Sequence, residues 1–121
     1  MVYSLRQEYD KADKLAQESL EIFRRCGNRR YEAMILNELS LNYLALNIPE
    51  KSLSLTKQAL KIYRQIEDRL GYAYAMRHLG DIYKKLGQTQ QSRDAWLEAL
   101  EIGNYLNHRH LLSQLSKRLD K

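Results

Sequence analysis

Apolar side chains recur three and four residues apart along most of the chain. Leu36, Leu39, Tyr43 and Leu46 form one series with Ser40 among them, and Met76, Leu79, Tyr83 and Leu86 form another with Gly80 among them. Leu55, Ala59, Ile62 and Tyr63 make a third, with Ser52 one turn earlier. Such spacing lines one face of a helix of 3.6 residues per turn. Breaks fall at Cys26-Gly27-Asn28, Asn47-Ile48-Pro49, Ile66-Glu67-Asp68, Gly87-Gln88-Thr89 and Asn107-His108. Pro49 suits a first helical turn, where its missing N–H costs nothing, and Gly87 suits a left-handed helix end. The pattern predicts a short helical remnant at 2–6 and helices at 8–26, 30–46, 49–66, 69–86, 89–106 and 109–120.

A shift of 40 residues lays the chain on itself without a gap. Leu20, Leu60 and Leu100 coincide, as do Ile22, Ile62 and Ile102; Arg29, Arg69 and Arg109; Leu39, Leu79 and Leu119; and Tyr3, Tyr43 and Tyr83. With two breaks per period, each repeat is a pair of helices, and Ser40, Gly80, Ser52 and Ser92 are the small positions where partners approach closely. Residues 1–121 read as one domain: a remnant plus helix at 1–28, repeats at 29–68 and 69–108, and a terminal helix at 109–121.

Composition narrows the class without changing the picture. One Pro and five Gly in 121 residues leave few breaks, and one Cys allows neither an internal disulfide nor a Cys-x-x-Cys pair. No apolar run approaches the ~18 residues of a membrane span, and Met1 to Asp10 lacks a signal pattern, so a cytoplasmic, soluble protein is the expectation. The net charge of +5 is uneven. Residues 1–40 carry equal numbers of basic and acidic groups, and the excess lies in the C-terminal two-thirds. Basic and acidic residues otherwise alternate along the helices, which favours a solvated mixed-charge surface over a nucleic-acid footprint.

Leu79-Gly80-x-x-Tyr83 and Leu86-Gly87, followed by Ser92, Trp96 and Ala99, resemble a tetratricopeptide repeat. Leu39-Ser40-x-x-Tyr43, Asn47, Ser52, Thr56 and Ala59 repeat the motif more loosely, and Ala12, Ala16 and Ser19 stand at its second-helix positions in the first repeat. No Trp opens the first helix, where Leu36 and Met76 stand, and no Pro closes the second. The period of 40 against the common length of about 34 resembles the long-repeat branch seen in kinesin light chains, spindle-orientation scaffolds and bacterial multidomain regulators. The resemblance implies an all-α fold, a right-handed α-solenoid of antiparallel helix pairs with about three repeats, that binds other proteins. By the same register neither end resembles a dedicated cap. Two readings of the ends compete: a fragment of a longer array, or head-to-tail stacking of copies. Leu111, Leu112, Leu115 and Leu119 form a stripe expected to pack back on the helix at 89–106.

Catalytic signatures are absent: no phosphate loop, no Gly-x-Ser-x-Gly and no His-Glu-x-x-His. An enzyme, a cofactor or a metal site is therefore not expected. His108-x-His110 reads as an exposed pair at a turn, Cys26 as a small, partly buried residue, and Tyr72, Tyr74 and Tyr105 as packing between repeats. Function is expected where the first helices of successive pairs line a groove. The candidate positions are Met34, Asn37, Glu38, Leu41 and Ala45; Tyr74, Arg77, His78, Asp81, Lys84 and Lys85; and Gln114, Lys117 and Arg118. Met34, Leu41 and Tyr74 would take an apolar anchor, while Arg77, Lys84, Lys85, Lys117 and Arg118 would receive acidic side chains or a terminal carboxylate. The competing description pairs Arg77 with Asp81 one turn on and leaves the lysines in water. An RNA-contacting repeat using the same basic end, or a spacer within a larger regulator, are the alternative functions.

Overall fold

A computed structural model describes residues 5–120. It contains six helices in chain order: α1 (Leu5–Arg25), α2 (Arg29–Ala45), α3 (Pro49–Gln65), α4 (Arg69–Lys85), α5 (Thr89–Leu106) and α6 (Arg109–Leu119). Each packs on the next, and α2 also meets α4, so helices of the same type lie side by side along a helical-repeat solenoid. The first helix of each pair is thus α2, α4 or α6, and α1, α3 and α5 are second-type helices. The core is one continuous cluster that includes Leu36, Leu39, Ala59, Ile62, Ala73, Leu79, Ala99, Leu111 and Leu115. Leu111 and Leu115 are fully buried, and Leu111 and Leu112 lie beside Gly103, so α6 packs back on α5 as its stripe requires.

The turns are built alike. In each, an N–H just past the helix end bonds a carbonyl five residues back: Asn28 to Phe23, Ile48 to Tyr43, Asp68 to Tyr63, Gln88 to Tyr83 and His108 to Gly103, all at 2.8–3.0 Å. This closure needs a left-handed residue, supplied by Gly27, Asn47, Glu67, Gly87 and Asn107. Asn28, Asp68 and His108, forty residues apart, each accept the N–H three residues on and cap α2, α4 and α6.

One expected break is missing. The sequence pattern separates a remnant at 2–6 from a helix starting at 8, yet α1 runs unbroken from Leu5 across position 7; residues 2–4 lie outside the described residues. The register explains why: where Asn47 and Gly87 turn the chain left-handed, the first repeat has Gln7, and where Pro49 opens a helix it has Tyr9. Neither residue ends a helix. Tyr3 lies outside the described residues.

Candidate functional site

The face formed by α2, α4 and α6 changes character along its length. On α2, Met34, Glu38, Leu41 and Ala45 are exposed, whereas Asn37 is half-buried. Asn37 Oδ1 is shielded from solvent and has no hydrogen-bond partner. On α4, Tyr74 is half-buried, edge-on to His108 with ring centres 5.7 Å apart, and Arg77 lies over its ring at 5.4 Å. Arg77 donates to the Gln114 side chain on α6, while its Nε–H is shielded and unpaired. Burial, then the nearby Arg118 guanidinium, holds the Arg77 pKa below its ordinary value.

Three expectations for this face are corrected. His78 does not reach it: the side chain is 1% exposed, and its Nε2 lies 2.9 Å from Ser40 Oγ, in a buried cluster with Ser52 and Thr56. Position 78 sits on the flank of α4 that α2 and α3 cover, and its imidazole is held neutral, pushed down to about 4 chiefly by burial against an opposing pull from Asp81. Arg118 is not a free cation. Its Nε and Nη2 donate to the two Asp81 oxygens at 2.7 and 3.0 Å, and its Nη1 donates to the Gln114 carbonyl at 3.0 Å. The expected Arg77–Asp81 pair is accordingly replaced: α6 supplies the better-placed guanidinium, and Trp96 Nε1 also donates to Asp81, at 3.1 Å.

What remains is a basic depression of about 620 Å³ at the α4–α6 end, gathering Asp81, Lys84, Lys85, Lys117 and Arg118 with Leu44 and Trp96. Met34, Asn37, Glu38, Leu41, Tyr74, Arg77 and His78 do not line it. With Asp81 engaged by Arg118, the uncompensated charge is that of Lys84, Lys85 and Lys117, all exposed and without an ion-pair partner among the described residues. The Lys84 ammonium sits 5.9 Å from the Trp96 ring centre. The sequence reading missed Leu44 and Trp96 as lining. Trp96 had a signal: an indole opposite Gly80, where a Cβ would collide with its Cδ1 and Nε1, must spread over the neighbouring surface.

Elsewhere, Cys26 is exposed and not partly buried, because it follows the last residue of α1 at the open side of the turn. Tyr105 is also exposed, lying under Arg69 with the guanidinium 5.0 Å from the ring centre, outside the packing between repeats. His108 is spent on its cap, its Nδ1 accepting Leu111 N–H at 3.3 Å, while exposed His110 contacts Gln114. Among the described residues no three His, Cys, Asp or Glu side chains are grouped to hold a metal, and no helix is long and apolar enough to cross a membrane.

A stack of helix pairs with small residues at each crossing and an open face along its first helices defines a helical-repeat scaffold. The tetratricopeptide repeat family matches residues 1–65, and the chain belongs to that family. No curated protein matches the chain. Tetratricopeptide repeats are generally protein–protein interaction modules, a non-catalytic scaffold type.

Proposed function

We propose that the α2–α4–α6 face binds a segment of a partner protein, extended or helical, with acidic groups at its α4–α6 end and an apolar side chain at the α2 end. The depression lined by Lys84, Lys85, Lys117 and Trp96 carries this reading, since three ammonium groups beside one neutralised carboxylate favour an anionic partner. Exposed Met34 and Leu41 offer the apolar contact.

A peptide partner suits the face better than RNA. Trp96 is 7% exposed and half-buried Tyr74 has Arg77 over its ring, so few aromatic planes are open to stack bases. The test is binding to an array of acidic and basic peptides beside a single-stranded RNA. Acidic peptides should be retained and then lost in a Lys84→Glu, Lys85→Glu, Lys117→Glu variant. Unchanged retention by that variant removes the depression as the site, and preferential, steeply salt-dependent RNA retention replaces the peptide reading.

A further inference from the structure

Among the described residues that line the basic depression, Asp81 alone is acidic. Its Oδ1 accepts the Arg118 Nε–H at 2.7 Å and its Oδ2 the Nη2–H at 3.0 Å, so both oxygens lie along one edge of the guanidinium. The Gln114 carbonyl takes an Nη1–H at 3.0 Å, and Trp96 Nε1 donates to Asp81 Oδ1 at 3.1 Å. Three of the five guanidinium N–H bonds are thus engaged and the positive charge is offset. Both side chains stand at the wall of the depression, Arg118 29% and Asp81 25% exposed, within reach of a bound segment.

The architecture does not call for this pair. Forty residues earlier, Leu41 and His78 stand in the registers of Asp81 and Arg118, and α2 still packs on α3 and α4. Nor does α6 depend on it for its seat, since Leu111 and Leu115 are fully buried. A partly exposed ion pair adds only modestly to stability. Its effect on an anionic partner is larger. An arginine grips a carboxylate through two parallel N–H bonds in a fixed geometry, whereas an ammonium acts as a point charge. The lining holds one arginine, and Asp81 occupies an edge of it that would grip a carboxylate, which leaves Lys84, Lys85 and Lys117 to the partner.

We propose, on the reading of this groove as the partner site, that Asp81 is its specificity-determining residue: it withholds the Arg118 fork, so that an acidic partner is held by charge through the three lysines. Asp81→Asn lifts the restraint. The amide oxygen still serves Trp96 Nε1, the amide N–H₂ repels Arg118 Nη2, and the Gln114 carbonyl keeps the guanidinium at the wall. The probe is a fluorescein-labelled oligoglutamate peptide with an amidated C-terminus, oligoglutamine serving as the blank, and the readout is anisotropy. Asp81→Asn should bind it about tenfold more tightly than wild type, as one added charge-assisted contact implies. Adding Arg118→Lys, which leaves the same charge without the fork, should return most of that gain. The gain should also persist at raised ionic strength, where the contribution of the exposed lysines fades. Melting temperatures of the same variants separate a structural role, since a pair that only held α6 to α4 would lose stability and binding together on Asp81→Asn. Equal or weaker binding by Asp81→Asn, with binding still lost in Lys84→Glu, Lys85→Glu, Lys117→Glu, leaves the groove in place and overturns the role of Asp81. A gain that survives Arg118→Lys or fades with salt is one of net charge alone and overturns it too. Oligoglutamate bound by neither wild type nor Asp81→Asn removes the groove reading, and the proposal with it.

Discussion

The α2–α3 and α4–α5 crossings are the same joint built from different materials. Both keep the serine-to-carbonyl hydrogen bond, but beside it the first holds Ser40, Thr56 and His78, and the second, forty residues on, holds Gly80, Trp96 and Arg118. At the first joint the space is filled by hydroxyl groups and a neutral imidazole, every one of them buried. At the second an indole fills it, and the arginine in the histidine's register is paired with Asp81, which stands where the first joint has Leu41. What the repeat conserves is therefore the volume and the satisfied polar groups of the joint, while the residues providing them vary in concert. A change to one member without its partner should be costly.

The sharpest way to break the comparison is to exchange one half of a joint. Gly80→Ser places a side chain against Trp96 Cδ1 and Nε1, with no flexible end to move aside, and should cost about 3 kcal/mol. Adding Trp96→Thr recreates the first joint's pair in the second and should recover much of that loss. Urea denaturation of the two single variants and the double gives the coupling. Losses that simply add would show that the two positions do not compensate.

The second effect is specific to the first joint. His78 is held neutral with its pKa at about 4, against about 6.5 for the unfolded chain. Between these values the unfolded state binds the proton and the folded state does not, so stability is complete above about pH 6.5 and falls as the pH drops toward 4. A loss of about 2 kcal/mol by pH 4.5 is expected in denaturation curves. His78→Gln should flatten that part of the profile, and an unchanged profile would move the acid sensitivity elsewhere.

At the second joint the corresponding change is smaller. Arg118→Ala removes the two-pronged pair with Asp81, both partners being about one-quarter exposed, and should cost about 1 kcal/mol. Because Asp81 also accepts from Trp96 Nε1, the indole emission should shift in the same variant. Arg118→Lys, which keeps the charge but not the fork, should retain part of the stability.

The same contrast explains what could be read without coordinates. Helix positions followed from spacing and turn residues, because Gly27, Asn47, Pro49, Gly87 and Asn107 act locally, each through its own backbone. The one missing break, at Gln7, was inferred from the register alone and lacked such a residue. The groove was less legible. Candidate positions came from counting faces, which placed Met34, Leu41, Lys84, Lys85 and Lys117 at the surface but could not show that His78 turns inward to Ser40 or that Arg118 is taken by Asp81. Those pairings join residues 37 or 38 positions apart on neighbouring helices, and no local pattern carries them.

The smallest expected effect lies in the turns, where the repeats again use different residues for one task. Gly27, Glu67 and Asn107 occupy the same register, with φ of +70°, +58° and +51°. Glycine bears no penalty in this region, and asparagine tolerates it. Glutamate meets its own Cβ against the backbone, a cost of about 1 kcal/mol or slightly more. Glu67→Gly relieves that strain but loosens the unfolded chain by roughly 0.5–1 kcal/mol. The net gain should be only about 0.5 kcal/mol, raising the melting temperature by about 2 °C. Gly27→Ala, at a site where nothing lies within 4 Å of the added carbon, is the converse: it tests backbone conformation without packing and should lower stability by a similar or larger amount. If both substitutions left the melting temperature unchanged, the left-handed turn would not discriminate among side chains, and the recurrence of Gly and Asn at these ends would need another cause.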